Sequence, residues 1–287
     1  MSVRVIARLD IKGPNVVKGI HLEGLRVMGK PEHFARLYYE DGADELLYMD
    51  AVASLYGRNS LTDIVSRTAR ELFIPLTVGG GLRTVEDIRV VLRAGADKVA
   101  LNTAAVNRPA FVREAAERFG SSTIVVSIEA IRHADGRYEA YTDCGRERTG
   151  HDAFEWATEA AELGAGELMV TSIDREGTGL GFDLELTSVI ARSVTIPVIA
   201  CGGAGTARHV LDVIREGAAD AVSVASILHY NYAGATRRMG QDYSAEGNTE
   251  FLKRGGGMPP IESTDLAALK SFLAAHGVDC RREAARA

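Results

Sequence analysis

The sequence predicts an α/β protein, a (βα)8 TIM barrel built from two similar half-barrels. Three observations lead there. Eight short apolar runs alternate with helical segments along the 287 residues, the pattern of a parallel sheet with crossover helices. Two glycine-rich turns, Val78-Gly79-Gly80-Gly81 and Cys201-Gly202-Gly203-Ala204-Gly205, each follow an apolar run and precede a helical stretch. Matched segments flank both turns. Gly42-Ala43-Asp44-Glu45 and Gly164-Ala165-Gly166-Glu167 come before them, and Gly95-Ala96-Asp97-Lys98 and Gly217-Ala218-Ala219-Asp220 after them. A unit written twice favours a closed barrel over an open sheet, and this length is common for a one-domain α/β barrel.

The strand runs fall at 5–9, 45–49, 75–78, 98–101, 123–128, 167–172, 197–200 and 221–224. Between them, 30–41, 61–72, 85–93, 110–118, 153–163, 184–193 and 206–216 carry apolar residues at helical spacing. After the fifth strand, His133-Ala134-Asp135-Gly136-Arg137 reads as a turn between Ile131 and Tyr138, so a small hairpin is expected there. After the eighth, 232–260 is polar and glycine-rich, long for a barrel loop, and reads as a lid or insertion before a final helix at 263–276. The whole chain, 1–287, reads as one barrel domain.

Bulk properties exclude several classes. A net charge of −6, with no basic run, argues against a nucleic-acid surface and leaves small anions or another protein as partners. Cys144, Cys201 and Cys280 lack disulfide or zinc-ligand spacing, so neither a disulfide framework nor a zinc site is expected, and nothing in the sequence suggests another metal or an organic cofactor. The scattered histidines, His229 among them, read as solvated or structural. Charges at Arg4, Arg8, Asp10 and Lys12 break any signal-peptide core and no run is long enough to span a membrane, so a cytoplasmic protein is expected.

Side-chain parity sorts the charged residues. On the first strand Arg4, Ile6, Arg8 and Asp10 share one face, with Arg4 and Asp10 about 20 Å apart at opposite ends. Arg4, Glu45, Lys98 and Glu167 begin strands 1, 2, 4 and 6, where they form a ring at the bottom, either an ion-paired plug or a gate. Asp10 and Glu129 end strands 1 and 5 and face each other across the top. They read as an acid and a base with separated pKa values, or as loop-binding caps. The two glycine turns, with Asn102-Thr103 and Ala225-Ser226 ending neighbouring strands, suit two phosphate groups on one substrate.

Over residues 1 to about 230 and the last helix, the chain resembles the cyclase subunits of imidazole glycerol phosphate synthase. The residues that carry this are Leu9-Asp10-Ile11-Lys12, Val17-Lys18-Gly19, Thr77-Val78-Gly79-Gly80-Gly81, Asn102-Thr103-Ala104-Ala105 and Thr171-Ser172-Ile173-Asp174-Arg175-Glu176-Gly177-Thr178. The related phosphoribosyl isomerases share the half-barrels, but the charged ring and the 171–178 segment point to the cyclases.

The resemblance implies a heterodimer with a glutaminase docked on the bottom face, and ammonia passing the Arg4–Glu45–Lys98–Glu167 gate. At the top the ammonia meets a bis-phosphorylated ribulosyl-formimino nucleotide. Asp10 and Glu129 would be catalytic, Lys18 would act from the active-site loop, and Asp97 would help docking. Gly81, Asn102, Thr103, Ala225 and Ser226 would hold one phosphate, and Gly177, Gly202 and Gly203 the other, beside Glu176.

Several positions depart from the family pattern. Glu129 and Glu176 stand where the family has aspartate, Arg8 where it usually has cysteine, Ile131 for a lysine and Cys201 for a serine, and 232–260 is extra. An inward Arg8 would pair with Asp10 or Glu129 or bind a different anion. The alternative role these departures suggest is an ammonia conduit that activates a glutaminase for a separate amidotransferase of surface-polysaccharide sugars. A phosphosugar isomerase is the third reading.

Overall fold

A computed structural model describes residues 2–53, 61–238 and 261–281. Eight parallel strands close into a barrel: β1 (Arg4–Lys12), β4 (Glu45–Asp50), β5 (Leu76–Gly79), β6 (Lys98–Leu101), β7 (Ile124–Arg132), β10 (Glu167–Ser172), β11 (Val198–Cys201) and β12 (Ala221–Val224). They neighbour one another in that order, and β12 pairs with β1 to complete the ring. The crossovers carry α1 (Pro31–Glu40), α2 (Thr62–Glu71), α3 (Val85–Arg93), α4 (Thr103–Asn107), α5 (Ala110–Phe119), α6 (Ala153–Glu162), α7 (Leu184–Ser193) and α8 (Ala207–Arg215). After β12 come α9 (Ser226–Arg238) and α10 (Leu266–Ala275). The expected (βα)8 architecture is the one observed.

Alternation along each strand divides the core in two. Outward residues such as Val5, Ala7, Leu9, Val126, Ile128 and Leu168 meet the helices in one continuous buried layer. Inward residues Ile6, Leu47, Ala100, Val125, Met169, Ile199 and Ala221 fill a separate apolar storey inside the barrel. The helices begin where the sequence supplies caps. Thr84 and Thr206, equivalent positions in the two halves, each accept the N–H three residues on, from Asp87 and His209.

The half-barrel repeat also contains a quarter repeat. The carboxylates of Asp44, Asp97 and Asp220 accept the N–H groups of Val5, Leu76 and Val198, each on the neighbouring strand, at 2.8, 2.8 and 2.9 Å. The fourth equivalent is Gly166, because a Cβ there would lie 2.1 Å from the Ser121 carbonyl oxygen.

Two hairpins rise from the top. The expected one pairs β7 with β8 (Tyr138–Thr142), and β9 (Glu147–Asp152) extends it. The other, β2 (Asn15–Ile20) with β3 (Glu23–Gly29), folds back onto β1 so that Asp10 pairs with Val17. Lys18 therefore lies on a strand, not on an open loop.

The segment expected as a loop from 232 begins as helix, since α9 runs to Arg238. Tyr232 holds it down, with its hydroxyl on Asp41 and its ring edge-on to Tyr38. Positions 239–260 lie outside the described residues. The last helix is shorter than the expected 263–276 and is capped by Asp265.

Candidate active site

At the N-terminal end of the barrel the four predicted charges form a closed square. Arg4 Nη1 lies 2.5 Å from Glu45 and 2.9 Å from Glu167, and Lys98 Nζ lies 3.1 Å from each. Two cations each bridge the same two carboxylates, so the ring is neutral and each residue depends on two others. Glu167 Oε2 has no hydrogen-bond partner among the described residues. Asp97, expected at a docking face, is exposed and uses one oxygen to hold the start of β5.

At the opposite end, parity sends Asp10 from β1 and Glu129 from β7 into the mouth, both buried. Arg8, one inward position below Asp10, donates from Nε to Asp10 Oδ1 at 2.8 Å and from Nη1 to Cys201 Sγ at 3.2 Å. Of its two expected partners it takes Asp10 directly. Burial opposes the Asp10 charge, but the Arg8 guanidinium and the Lys18 ammonium outweigh it and hold this carboxyl below the usual range.

Glu129 receives the opposite treatment. Burial pushes its pKa up to about 7, only partly countered by the Arg8 charge and the Gly145 N–H, while the Asp10 charge adds to the rise. Its Oε2 has no hydrogen-bond partner among the described residues. The mouth thus holds one carboxylate fixed as an anion and one poised between acid and base near neutrality, a division suited to proton transfer in both directions.

Two glycine-lined cavities flank this pair, with a change in membership from the expected one. Gly80, Gly81, Asn102 and Thr103 line a cavity with Asp50, Arg83, Glu129 and Cys144, over β5 and β6. Ala225 and Ser226 join Gly177, Gly202 and Gly203 in the other cavity, over β11 and β12, with Arg8, Lys18 and Glu176. The grouping of Ala225 and Ser226 with Gly81 is therefore corrected. A turn shares a cavity with the strand beside it in the ring, and β12 neighbours β11, not β5.

The glycines are needed where they stand. Gly80 and Gly203 have φ of 95° and 110°, and a Cβ would meet the Asp50 carbonyl oxygen at 2.5 Å or the Gly181 carbonyl oxygen at 2.1 Å.

Glu176 organises the roof of the second cavity. It pairs with Lys18 and accepts the Leu22 N–H at 2.9 Å, while its carbonyl accepts the His21 N–H at 3.0 Å. These bonds hold the β2–β3 turn over the mouth, and Gly177 passes so close to Gly19 that a Cβ would lie 2.6 Å from its carbonyl oxygen.

His229, read from the sequence as solvated or structural, takes a structural place. It is fully buried on α9, hydrogen-bonded through Nδ1 to the Tyr38 hydroxyl and stacked on that ring. Burial drives its pKa down to about 3, with Lys18 adding to the drop, so it is a neutral imidazole beside the charged mouth. Only its position one helical turn past Ser226 marks it in the sequence. Among the described residues no group of His, Cys, Asp and Glu has metal-binding geometry, and no helix is long and apolar enough to cross a membrane.

A closed parallel barrel of two half-barrels, with its titrating groups gathered at the C-terminal mouth, defines a (βα)8-barrel enzyme. The chain belongs to the family described as histidine biosynthesis protein, whose sequence pattern matches residues 4–233. It is 59% identical over 204 residues to a Legionella pneumophila protein named imidazole glycerol phosphate synthase subunit HisF, covering 71% of this chain and 96% of that one. It is 47% identical over 237 residues to the protein of the same name from Alkaliphilus metalliredigens strain QYMF, covering 83% and 94%. Both names describe one subunit of a synthase.

Proposed function

We propose that this chain is the cyclase subunit of an imidazole glycerol phosphate synthase, a lyase of histidine biosynthesis. It takes ammonia from a HisH-like glutaminase partner and converts the ribulosyl-formimino aminoimidazole carboxamide nucleotide to imidazole glycerol phosphate and aminoimidazole carboxamide ribotide. The observation that carries this reading is the Asp10–Glu129 pair, with pKa values displaced in opposite directions, set between two glycine cradles. The 59% identity supports it independently.

In this reading the cradles hold the two phosphates, one at Gly81, Asn102 and Thr103, the other at Gly177, Gly202, Gly203, Ala225 and Ser226. Protonated Glu129 gives a proton to the carbonyl oxygen as ammonia adds to the ribulosyl carbonyl, and that oxygen leaves as water when the imine forms. Ionised Asp10 removes a proton from the attacking nitrogen. The Arg4–Glu45–Lys98–Glu167 ring acts as the gate to a glutaminase on the bottom face, with Asp97 at the docking edge. The chain works as one barrel domain in the cytoplasm, without metal or organic cofactor.

The test is turnover of the nucleotide by the isolated chain with excess ammonium at pH 8. Wild type is expected to turn over, and Asp10→Asn to lose turnover while still binding substrate. Retained turnover in Asp10→Asn would remove Asp10 from the mechanism.

The Arg8–Asp10 ion pair favours a second reading, in which the acid–base pair is altered and the chain serves as an ammonia conduit for a separate sugar amidotransferase. A folded wild type that activates its glutaminase yet leaves the nucleotide untouched would select that reading.

A further inference from the structure

In the chemistry just described Arg8 serves only to keep Asp10 ionised. A buried cation whose only task was to neutralise Asp10 would be expensive to desolvate and poor value for stability. Its fork is also only partly used. Nε and Nη1 go to Asp10 and Cys201, and among the described residues no carbonyl, hydroxyl or carboxylate takes the Nη2 hydrogens. The Arg8 side chain is 7% exposed, and it lines the cavity shared by Gly202, Gly203, Ala225 and Ser226.

The two cradles are unequal. The charged side chains lining the β11/β12 cavity are Arg8, Lys18 and Glu176, two cations against one acid; Glu176 pairs with Lys18, and Arg8 pairs through Nε with Asp10, which lies outside the lining. Those of the β5/β6 cavity are Asp50, Glu129 and Arg83, with acids in the majority. Both present left-handed glycines, Gly80 and Gly81 in one and Gly202 and Gly203 in the other, and both lead into a helix capped by threonine. The backbone contributions therefore match, and the side chains decide between them. A planar guanidinium with free donors recognises a phosphate oxygen better than amides alone, because the hydrogen bond is charge-assisted.

We propose that Arg8 is a specificity-determining residue that binds the phosphate-type dianion of the substrate in the β11/β12 cradle, making that cradle the dominant anion site and the β5/β6 cradle the weaker one. This rests on the two-phosphate substrate proposed above and assigns the order in which its ends are held.

The test needs no turnover. Inorganic phosphate is titrated into the full chain at constant ionic strength, and the backbone amide resonances of Gly203 and Gly81 report the two cradles separately. Wild type is expected to saturate at Gly203 with at least tenfold less phosphate than at Gly81. Arg8→Ala should weaken the Gly203 site about tenfold or more and leave the Gly81 site unchanged, with Arg8→Lys between them. Chemical-shift dispersion confirms folding, and Arg8→Gln replaces Arg8→Ala if that variant does not fold.

Equal affinity at the two cradles in wild type, or an unchanged or tighter Gly203 site without Arg8, overturns the proposal. The outcome is separable from the cyclase reading. A chain with this ordering that cannot turn over the nucleotide keeps the Arg8 assignment and loses the cyclase, while one that turns over but lacks the ordering does the reverse.

Discussion

The Asp97 carboxylate accepts the Leu76 N–H at 2.8 Å, tying the loop before β6 to the first residue of β5. Asp44 does the same for Val5 and Asp220 for Val198, so Asp97 is a structural clamp before it is anything else. Replacing it with alanine leaves the N–H of a buried strand end without its acceptor and should cost about 1–3 kcal/mol, read by urea unfolding. Asp97→Asn keeps an acceptor oxygen and should lose less than half as much. A variant that loses glutaminase coupling with unchanged stability would show that docking is the whole of its role.

Gly166 is the exception that tests the repeat. A side chain there meets Ser121 backbone, which cannot swing aside as a flexible side chain could. Gly166→Asp, the change that would complete the fourfold pattern, should therefore destabilise by more than about 2 kcal/mol, by forced movement of backbone. A measured gain in melting temperature would refute this account of the broken repeat.

Glu129 carries a pH signature. Its pKa rises from 4.5 unfolded to about 7 folded, so the native state binds the extra proton between those values. Stability therefore falls as pH rises across that window, and the full penalty, about 3 kcal/mol, stands above pH 7. His229, lowered to about 3, works in the opposite direction as pH drops below 6.5. The comparison with Glu129→Gln cancels that contribution. The variant should be more stable than wild type at pH 8, with the gap closing toward pH 5; a pH-independent difference would rule out a buried, shifted Glu129.

In the proposed mechanism the same group sets the rate. With Glu129 as the acid, kcat/KM corrected for free ammonia should decline above about pH 7, and this decline should be absent from the residual activity of Glu129→Gln. A profile that is flat to pH 9 would assign the proton donor elsewhere.

Lys98 bridges Glu45 and Glu167 at 3.1 Å each, and Arg4 bridges the same pair from its own side. Lys98→Ala should keep the fold at a cost of about 1–3 kcal/mol, since Arg4 still neutralises part of the ring. Turnover driven by the glutaminase should drop at least tenfold while turnover driven by ammonium changes less than twofold. Equal loss of both would make the ring a plug and not a gate.

The barrel was legible because its strands are short apolar runs separated by helical segments and its glycine turns are written twice. The runs at 98–101, 167–172 and 221–224 coincide with β6, β10 and β12, and position along the strand together with side-chain parity placed Arg4, Arg8, Asp10 and Glu129 correctly.

The β2–β3 hairpin was not legible. Its two-residue turn is His21-Leu22, both at positive φ (54° and 62°), where the Asn-Gly pair that usually announces such a turn is missing. The strain is offset by partners remote in sequence, the Glu176 side chain and carbonyl and the Ile173 carbonyl. Cradle membership failed for a related reason. Equivalence between halves can be read from a sequence, but adjacency around the ring depends on how it closes.

One feature of the interior bears on what can travel along its axis. Between the charged square and the mouth lies the storey of Ile6, Leu47, Ala100, Val125, Met169, Ile199 and Ala221, beside which the inward polar side chains Thr77, Ser127 and Ser223 carry only neutral hydroxyls. An ammonium ion entering it exchanges its water for apolar walls and a few neutral hydroxyls, a loss far larger than an uncharged molecule of the same size suffers. For the ammonia-fed reaction proposed here, this storey sorts by protonation state, as the oily middle of a bilayer does. In that reaction nitrogen would arrive at Asp10 and Glu129 with its lone pair free, however acidic the solution on the far side.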